Sequence, residues 1–195
     1  LLVIPVILPG YEDIDIDDDG KDDSLKVRED LKQAFFGGEK IAYESVSSYY
    51  YQSSYGKLNL SGTVTDWFDL AMDSDLNYEH ASQIDIDDTP SVIEAAIEWV
   101  KKTQDIDLTE YDNDKDGYID GVWCIYSCHN YTMGGPSTDN GNYWAYTSWG
   151  NQVEGEGQSP NINNPVYNLF GWASYDFMYQ FGIDKIDSHI YIHET

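Results

Sequence analysis

The 195 residues are enough for one ordinary domain, and 41% apolar content is enough for a core. Against 10 basic residues stand 36 acidic ones, a net charge of −26. That excludes nucleic acid, which needs a basic surface to neutralise phosphate, and argues equally against an anionic membrane surface. No run approaches the roughly 18 apolar residues of a membrane helix, so no membrane insertion is expected.

Leu2 to Leu8 is a continuous apolar run and reads as a buried first strand. With no basic flank and no small-residue cleavage site, it does not read as a signal peptide, and upstream residues are expected to lie outside the chain. Asp13 to Asp23 is an acidic loop. Ser24 to Phe36 predicts a helix, with Val27, Leu31, Ala34 and Phe35 on one face and Gly37 at its stop. Ser45 is placed to cap a second helix that carries Val46, Tyr49, Tyr50 and Ser53 and stops at Gly56. Leu58, Leu60 and Val64 alternate with Asn59, Ser61 and Thr63, which is strand periodicity. The clearest helix runs from Pro90 to Gln104, with Thr89 as its cap and Ile93, Ala96, Ile97 and Val100 as its buried stripe.

Val122 to Tyr126 predicts a central strand. Residues 130–164 are rich in Gly, Asn, Ser and Pro, with a short strand expected at Trp144 to Trp149. Phe170 to Gln180 is apolar without a clean period, and Asp187 or Ser188 is placed to cap a last helix. The chain reads as a single domain over 1–195. Cys124 and Cys128 lie four apart, about 13 Å along a strand, too far for a disulfide, so two free thiols are expected.

Asp112-Asn-Asp114-Lys-Asp116-Gly-Tyr118-Ile-Asp120 is the strongest self-contained motif. Calcium takes six to eight oxygens, and carboxylates at alternate positions converge on one point when the chain coils around it. Asp112, Asp114 and Asp116 supply three carboxylates, the Tyr118 carbonyl a fourth oxygen, and Asp120 fits the ninth position. An EF-hand would place Glu at the twelfth position, where this chain has Trp123. The competing reading is an acidic turn without an ion. Asp15, Asp17, Asp19 and Asp23 repeat the spacing around Gly20 and form a second calcium candidate, in a segment dense enough in acids to match by chance.

The chain ends on His193-Glu194-Thr195, the start of an H-E-x-x-H motif. On a helix that motif places two imidazoles on one face as zinc ligands, and its Glu activates the metal-bound water. A lone His-Glu dipeptide is most often an ordinary surface pair. His189 and His193 are also spaced i, i+4. That spacing allows a metal pair, or His189 simply occupies the first helical turn. Cys128-His129 is a weak candidate for thiol chemistry, and no phosphate loop or dinucleotide fingerprint is present.

Three stretches together resemble the catalytic domain of the M6 family, the immune inhibitor A zinc metallopeptidases. Ser45 to Gly62 is similar to the family's helix, Ser-Tyr-Gly-Lys turn and strand. Asp112 to Tyr126 is similar to its acidic turn and central strand. Ile186 to Thr195 resembles the run into its zinc helix. The resemblance implies an α+β fold, a zincin-like twisted mixed β-sheet flanked by helices, and an enzyme secreted by or displayed on bacteria. It implies His193 as the first zinc ligand and Glu194 as general base in hydrolysis of protein or peptide substrates. The family's second His and third ligand are not among these residues, so zinc is expected only in the intact enzyme. This chain is then an incomplete catalytic domain, truncated within the motif and inactive alone. The alternative from another class is a calcium-stabilised, non-catalytic glycan- or protein-binding module, or a pseudopeptidase.

Overall fold

The computed structural model describes residues 1–130, 134–136, 143–150 and 158–195. Six strands, β1 (Leu2–Ile7), β2 (Thr63–Val64), β3 (Phe68–Asp69), β4 (Val122–Tyr126), β5 (Tyr146–Trp149) and β6 (Leu169–Ser174), form one sheet. Its order is β2-β1-β4-β6-β5, with β3 also paired to β1. Every pairing is parallel except β5 with β6. Among the described residues five α-helices accompany it: α1 (Ser24–Phe36), α2 (Val46–Ser53), α3 (Leu70–Asp73), α4 (Thr89–Thr103) and α5 (His189–Glu194). The fold is thus mixed α/β, with a mostly parallel sheet flanked by helices. No helix among the described residues is long and apolar enough to cross a membrane.

Parallel strands covered on both faces must be apolar throughout, which is why β1 and β4 read as unbroken apolar runs. Leu2, Ile4 and Val6 of β1 join Val122, Cys124 and Tyr126 of β4 in a core shared with Val92, Ile93, Ala96, Ile97 and Val100 of α4. Val3, Trp123 and Ile125 point the other way, into a core with Val27, Leu31, Ala34 and Phe35 of α1 and Tyr191 of α5. Gly171 of β6 lies opposite Trp123 of β4, and a Cβ there would sit 2.5 Å from the indole. The missing side chain gives that indole its place.

Pro5 sits inside a strand with neighbours on both sides, although it has no N–H to donate. The outer partner is split around it: β2 pairs with Leu2 and Val3, and β3 pairs with Val6 and Ile7. This split corrects the expected strand from Leu58. Only Thr63 and Val64 pair, because the Leu58 N–H donates to Ser54 Oγ and the Leu60 carbonyl accepts from Ser47 Oγ.

One cap also differs from expectation. Thr89 is the first residue of α4 rather than its cap, and its buried hydroxyl donates to the Asp85 carbonyl and accepts from Tyr146. At α5, of the two expected caps, Asp187 takes the first free N–H, of His189, whereas the Ser188 hydroxyl is buried without a partner among the described residues. Ser45 caps α2 as expected, accepting from the Ser48 N–H. The segment 170–180 resolves into the end of β6 and a 3-10 turn over Tyr175–Tyr179. Both cysteines are free and buried, and burial pushes both thiols well above their usual range. This removes Cys128 as a nucleophile.

Candidate metal centres

The two acidic loops fold alike. In the loop at 112–120, Asp112 Oδ1 accepts from the Asp116 N–H at 3.0 Å and its Oδ2 from the Gly117 N–H at 3.0 Å. In the loop at 15–23, Asp15 Oδ1 accepts from the Asp19 N–H at 3.2 Å and its Oδ2 from the Gly20 N–H at 2.7 Å. The last acid of each loop closes it in the same manner. The Asp120 carboxylate accepts from the Asn113 N–H while its own N–H donates to the Tyr111 carbonyl. Asp23 accepts from the Ile16 N–H and donates to the Ile14 carbonyl. Lys115 and Asp18 occupy the same left-handed position at φ 60° and 58°, and Gly117 and Gly20 follow at 88° and 78°. At Gly117 a Cβ would also meet the Asn161 nitrogen at 2.5 Å, so glycine is required there twice over.

The consequence is a convergence of carboxylates. One oxygen each from Asp112, Asp114 and Asp116 lies within 4.8 Å of the others, and the same holds for Asp15, Asp17 and Asp19. Oxygens on one calcium ion at about 2.3–2.6 Å are at most about 5 Å apart, so both triads fit one hard cation. Asp120 and Asp23 stand outside these triads, engaged in loop closure. Burial raises the Asp120 carboxyl above its usual range, with Asp114 and Asp112 adding to the shift, while the Asn113 N–H opposes it. The Gly20 N–H, with the other amides of its loop, holds Asp15 below its usual range. The first loop leads into α1, and the second feeds β4.

The His-Glu pair lies at the C-terminal end of α5. That helix is fixed by Tyr191, fully buried, whose ring stacks on Phe35 at 5.1 Å and meets Trp123 edge-on at 5.7 Å. The Tyr191 hydroxyl donates to the Ser174 carbonyl at 2.9 Å. Tyr50 of α2 donates to the Ile192 carbonyl at 3.0 Å, and Thr147 of β5 donates to the Glu194 carbonyl. From this anchored turn His193 projects outward, 78% exposed, and Glu194 is 21% exposed. His193 Nε2 and Glu194 Oε1 are 3.9 Å apart, beyond a hydrogen bond, so the imidazole is not consumed by the carboxylate. His193 lines a cleft of about 780 Å³ with Tyr43, Glu44, Tyr49 and His189. Glu194 borders a smaller hollow of about 160 Å³ shared with Asp120, Trp123 and Thr147.

Sequence reasoning missed a polar cluster at the carboxyl ends of β4 and β6. Asp176, nearly buried, accepts from the Asn130 N–H at 3.0 Å and from its side-chain amide, and sits 3.2 Å from His129 Nδ1. Residues 47 apart in sequence gave no local signal. Asp176 raises the half-exposed His129 above its ordinary range, chiefly through that hydrogen bond, with Asp18 adding to the effect and burial opposing it. A folded-state value above the unfolded one means the contact stabilises fully below about pH 6.5 and fades as pH rises through the folded value. The melting-temperature gap between wild type and His129→Gln is therefore expected to be small, given solvent screening. It should also be wider at about pH 5.5 than at about pH 9. A gap that ignores pH would refute the ion pair.

Neither protein-family models nor curated proteins return a match to this chain.

Proposed function

We propose that this chain contributes the metal-binding helix start of a secreted zinc endopeptidase of the immune inhibitor A type, in a zincin-like fold braced by calcium at two loops. The observation that supports the catalytic part is the placement of His193 and Glu194. They are adjacent residues on a helix locked to the core by Tyr191, with an exposed imidazole and a carboxylate 3.9 Å from its Nε2.

One exposed imidazole fits zinc as a single ligand. A catalytic site needs three, so the reading requires two more from polypeptide following Thr195 in the parent protein. Bound zinc would polarise the scissile carbonyl and acidify a water molecule. Glu194 would take the proton from that water and deliver it to the leaving amine. Asp112, Asp114 and Asp116, with the Tyr118 carbonyl and Asp120 as further oxygens, would hold one calcium. Asp15, Asp17 and Asp19, with Asp23, would hold the other. Extracellular calcium modules bind at about 10⁻⁴–10⁻³ M, a regime that suits a secreted protein.

In the parent protein, Glu194→Gln is expected to lower kcat by about 10²-fold or more while leaving the melting temperature unchanged. Removal of zinc should abolish proteolysis, and its return should restore it. Undiminished turnover in Glu194→Gln would remove Glu194 as the base. The paired loops also support a second reading, a calcium-stabilised glycan- or protein-binding module, since they stand whether or not zinc binds. A parent protein that holds no zinc and cleaves nothing, yet needs calcium to fold, would favour it.

A further inference from the structure

His189 has no part in the peptidase reading, yet it shares a helix, a spacing and a cleft with His193. Residues i and i+4 of a helix lie one above the other on the same face. Both rings are mostly solvent-facing, His189 at 57% and His193 at 78%, and both line the cleft of about 780 Å³. The residue between them on the opposite face is Tyr191, whose burial fixes the helix frame from which both rings project.

The decisive feature is Asp187. Its side chain is only 3% exposed, and both its oxygens are directed at His189. Oδ1 accepts from the His189 N–H at 3.0 Å, and Oδ2 lies 2.7 Å from His189 Nδ1. A carboxylate acceptor at Nδ1 selects the ring tautomer with its proton on Nδ1, which leaves Nε2 as the donor for a metal. A buried carboxylate that fixes tautomer and ring angle in this way is the support that metal-ligating histidines commonly have. A capping role alone would need only the bond to the backbone N–H. The second bond, to the ring, aims a nitrogen donor. Glu44 also lines the cleft, accepting from Ser48 and Gln52, and adds negative potential.

We propose that His189 and His193 form a two-imidazole site for a borderline divalent transition-metal ion of the Ni²⁺, Cu²⁺ or Zn²⁺ class, with Asp187 as the positioning residue for His189. Nitrogen donors select such ions, whereas the all-oxygen acidic loops suit hard cations, so the sites sort ions by chemistry. The site goes beyond the peptidase reading: it shares His193 but needs neither Glu194 nor residues following Thr195.

The test is a Ni²⁺ titration of the 195-residue chain in excess calcium, which keeps the oxygen sites filled, followed by calorimetry and by the imidazole proton signals. The expected result is one Ni²⁺ per chain, with the signals of His189 and His193 selectively broadened. Affinity should fall at least 10-fold in His189→Ala, His189→Gln and His193→Ala, and about 10-fold in Asp187→Asn. His80→Ala and His129→Ala, which alter the other two of the four histidines, should bind as wild type does. Wild-type affinity in both His189 variants, or broadening confined to His193, would overturn the pair. Glu194→Gln should cost less Ni²⁺ affinity than either His189 variant while still abolishing proteolysis in the peptidase reading, so loss of that reading and loss of this site are distinguishable.

Discussion

Adding calcium to calcium-free protein should raise its melting temperature by about 5–10 °C for each acidic loop once calcium reaches about 100 times the dissociation constant. An ion that binds only the folded state contributes about 2.7 kcal/mol at that excess. In a chain of this size each kcal/mol moves the midpoint by about 2–4 °C. The informative variants are Asp114→Asn and Asp17→Asn, because neither carboxylate is central to its loop's hydrogen bonds. Asp114 accepts only a long bond of 3.3 Å from the Asp116 N–H, whereas Asp112 and Asp15 each take two or more amides. Each substitution removes one of three carboxylates brought within 4.8 Å. Without calcium this relieves repulsion, so both variants should melt at or above the wild-type temperature. With calcium a ligand is lost, so each should melt below it and forfeit the gain from its own loop. The sign reversal is the diagnostic. A solvated acidic turn with no ion predicts a rise in both buffers, and that outcome in either loop would remove calcium from it.

The shared geometry of the loops shows where sequence reading reached its limit. The spacing of Asp15, Asp17, Asp19 and Asp23 was visible, but in a run so acidic it carried little weight. The coiling of the backbone, with Asp18 and Lys115 at matching left-handed positions, was not visible. Elements set by local periodicity and by Gly, Ser and Pro punctuation were legible nearly to the residue: Ser24 to Phe36, Val122 to Tyr126 and the helix that carries Pro90. Features fixed by partners far along the chain were not. Leu58 and Leu60 alternate like a strand, yet side-chain bonds to Ser54 and Ser47 hold them out of the sheet. The apolar run from Phe170 gave no period because both faces of β6 are buried, and its strand then tightens into a 3-10 turn. The His129 to Asp176 contact joins the ends of two adjacent parallel strands and has no local signature. At the chain's end, His193 and Glu194 were legible as a motif, while the anchoring of their helix by Tyr191 came only from the packing.

That anchoring makes Tyr191→Ala the substitution expected to have the largest single effect on stability, a loss of about 3–5 kcal/mol by analogy with other large aromatics truncated in cores. The ring fills the space between Phe35 and Trp123, 5.1 and 5.7 Å from their centroids. Relaxation into the vacated volume is restricted. Trp123 is wedged over Gly171, and its strand is tied to β1 and β6 on either side. Tyr191→Phe separates the ring from its hydroxyl. It retains the packing and gives up the bond to the Ser174 carbonyl, at about 1 kcal/mol. Denaturant midpoints would give both values. Amide exchange across residues 188–195 would show whether the loss is local: with Tyr191 truncated, these amides should exchange at nearly the unprotected rate while those of β4 stay protected. Truncation that costs under about 1 kcal/mol would mean α5 is not held by this side chain. Both metal readings would then lose their foundation, because His189 and His193 share their cleft, and Glu194 sits beside them on its own hollow, only while their helix is docked.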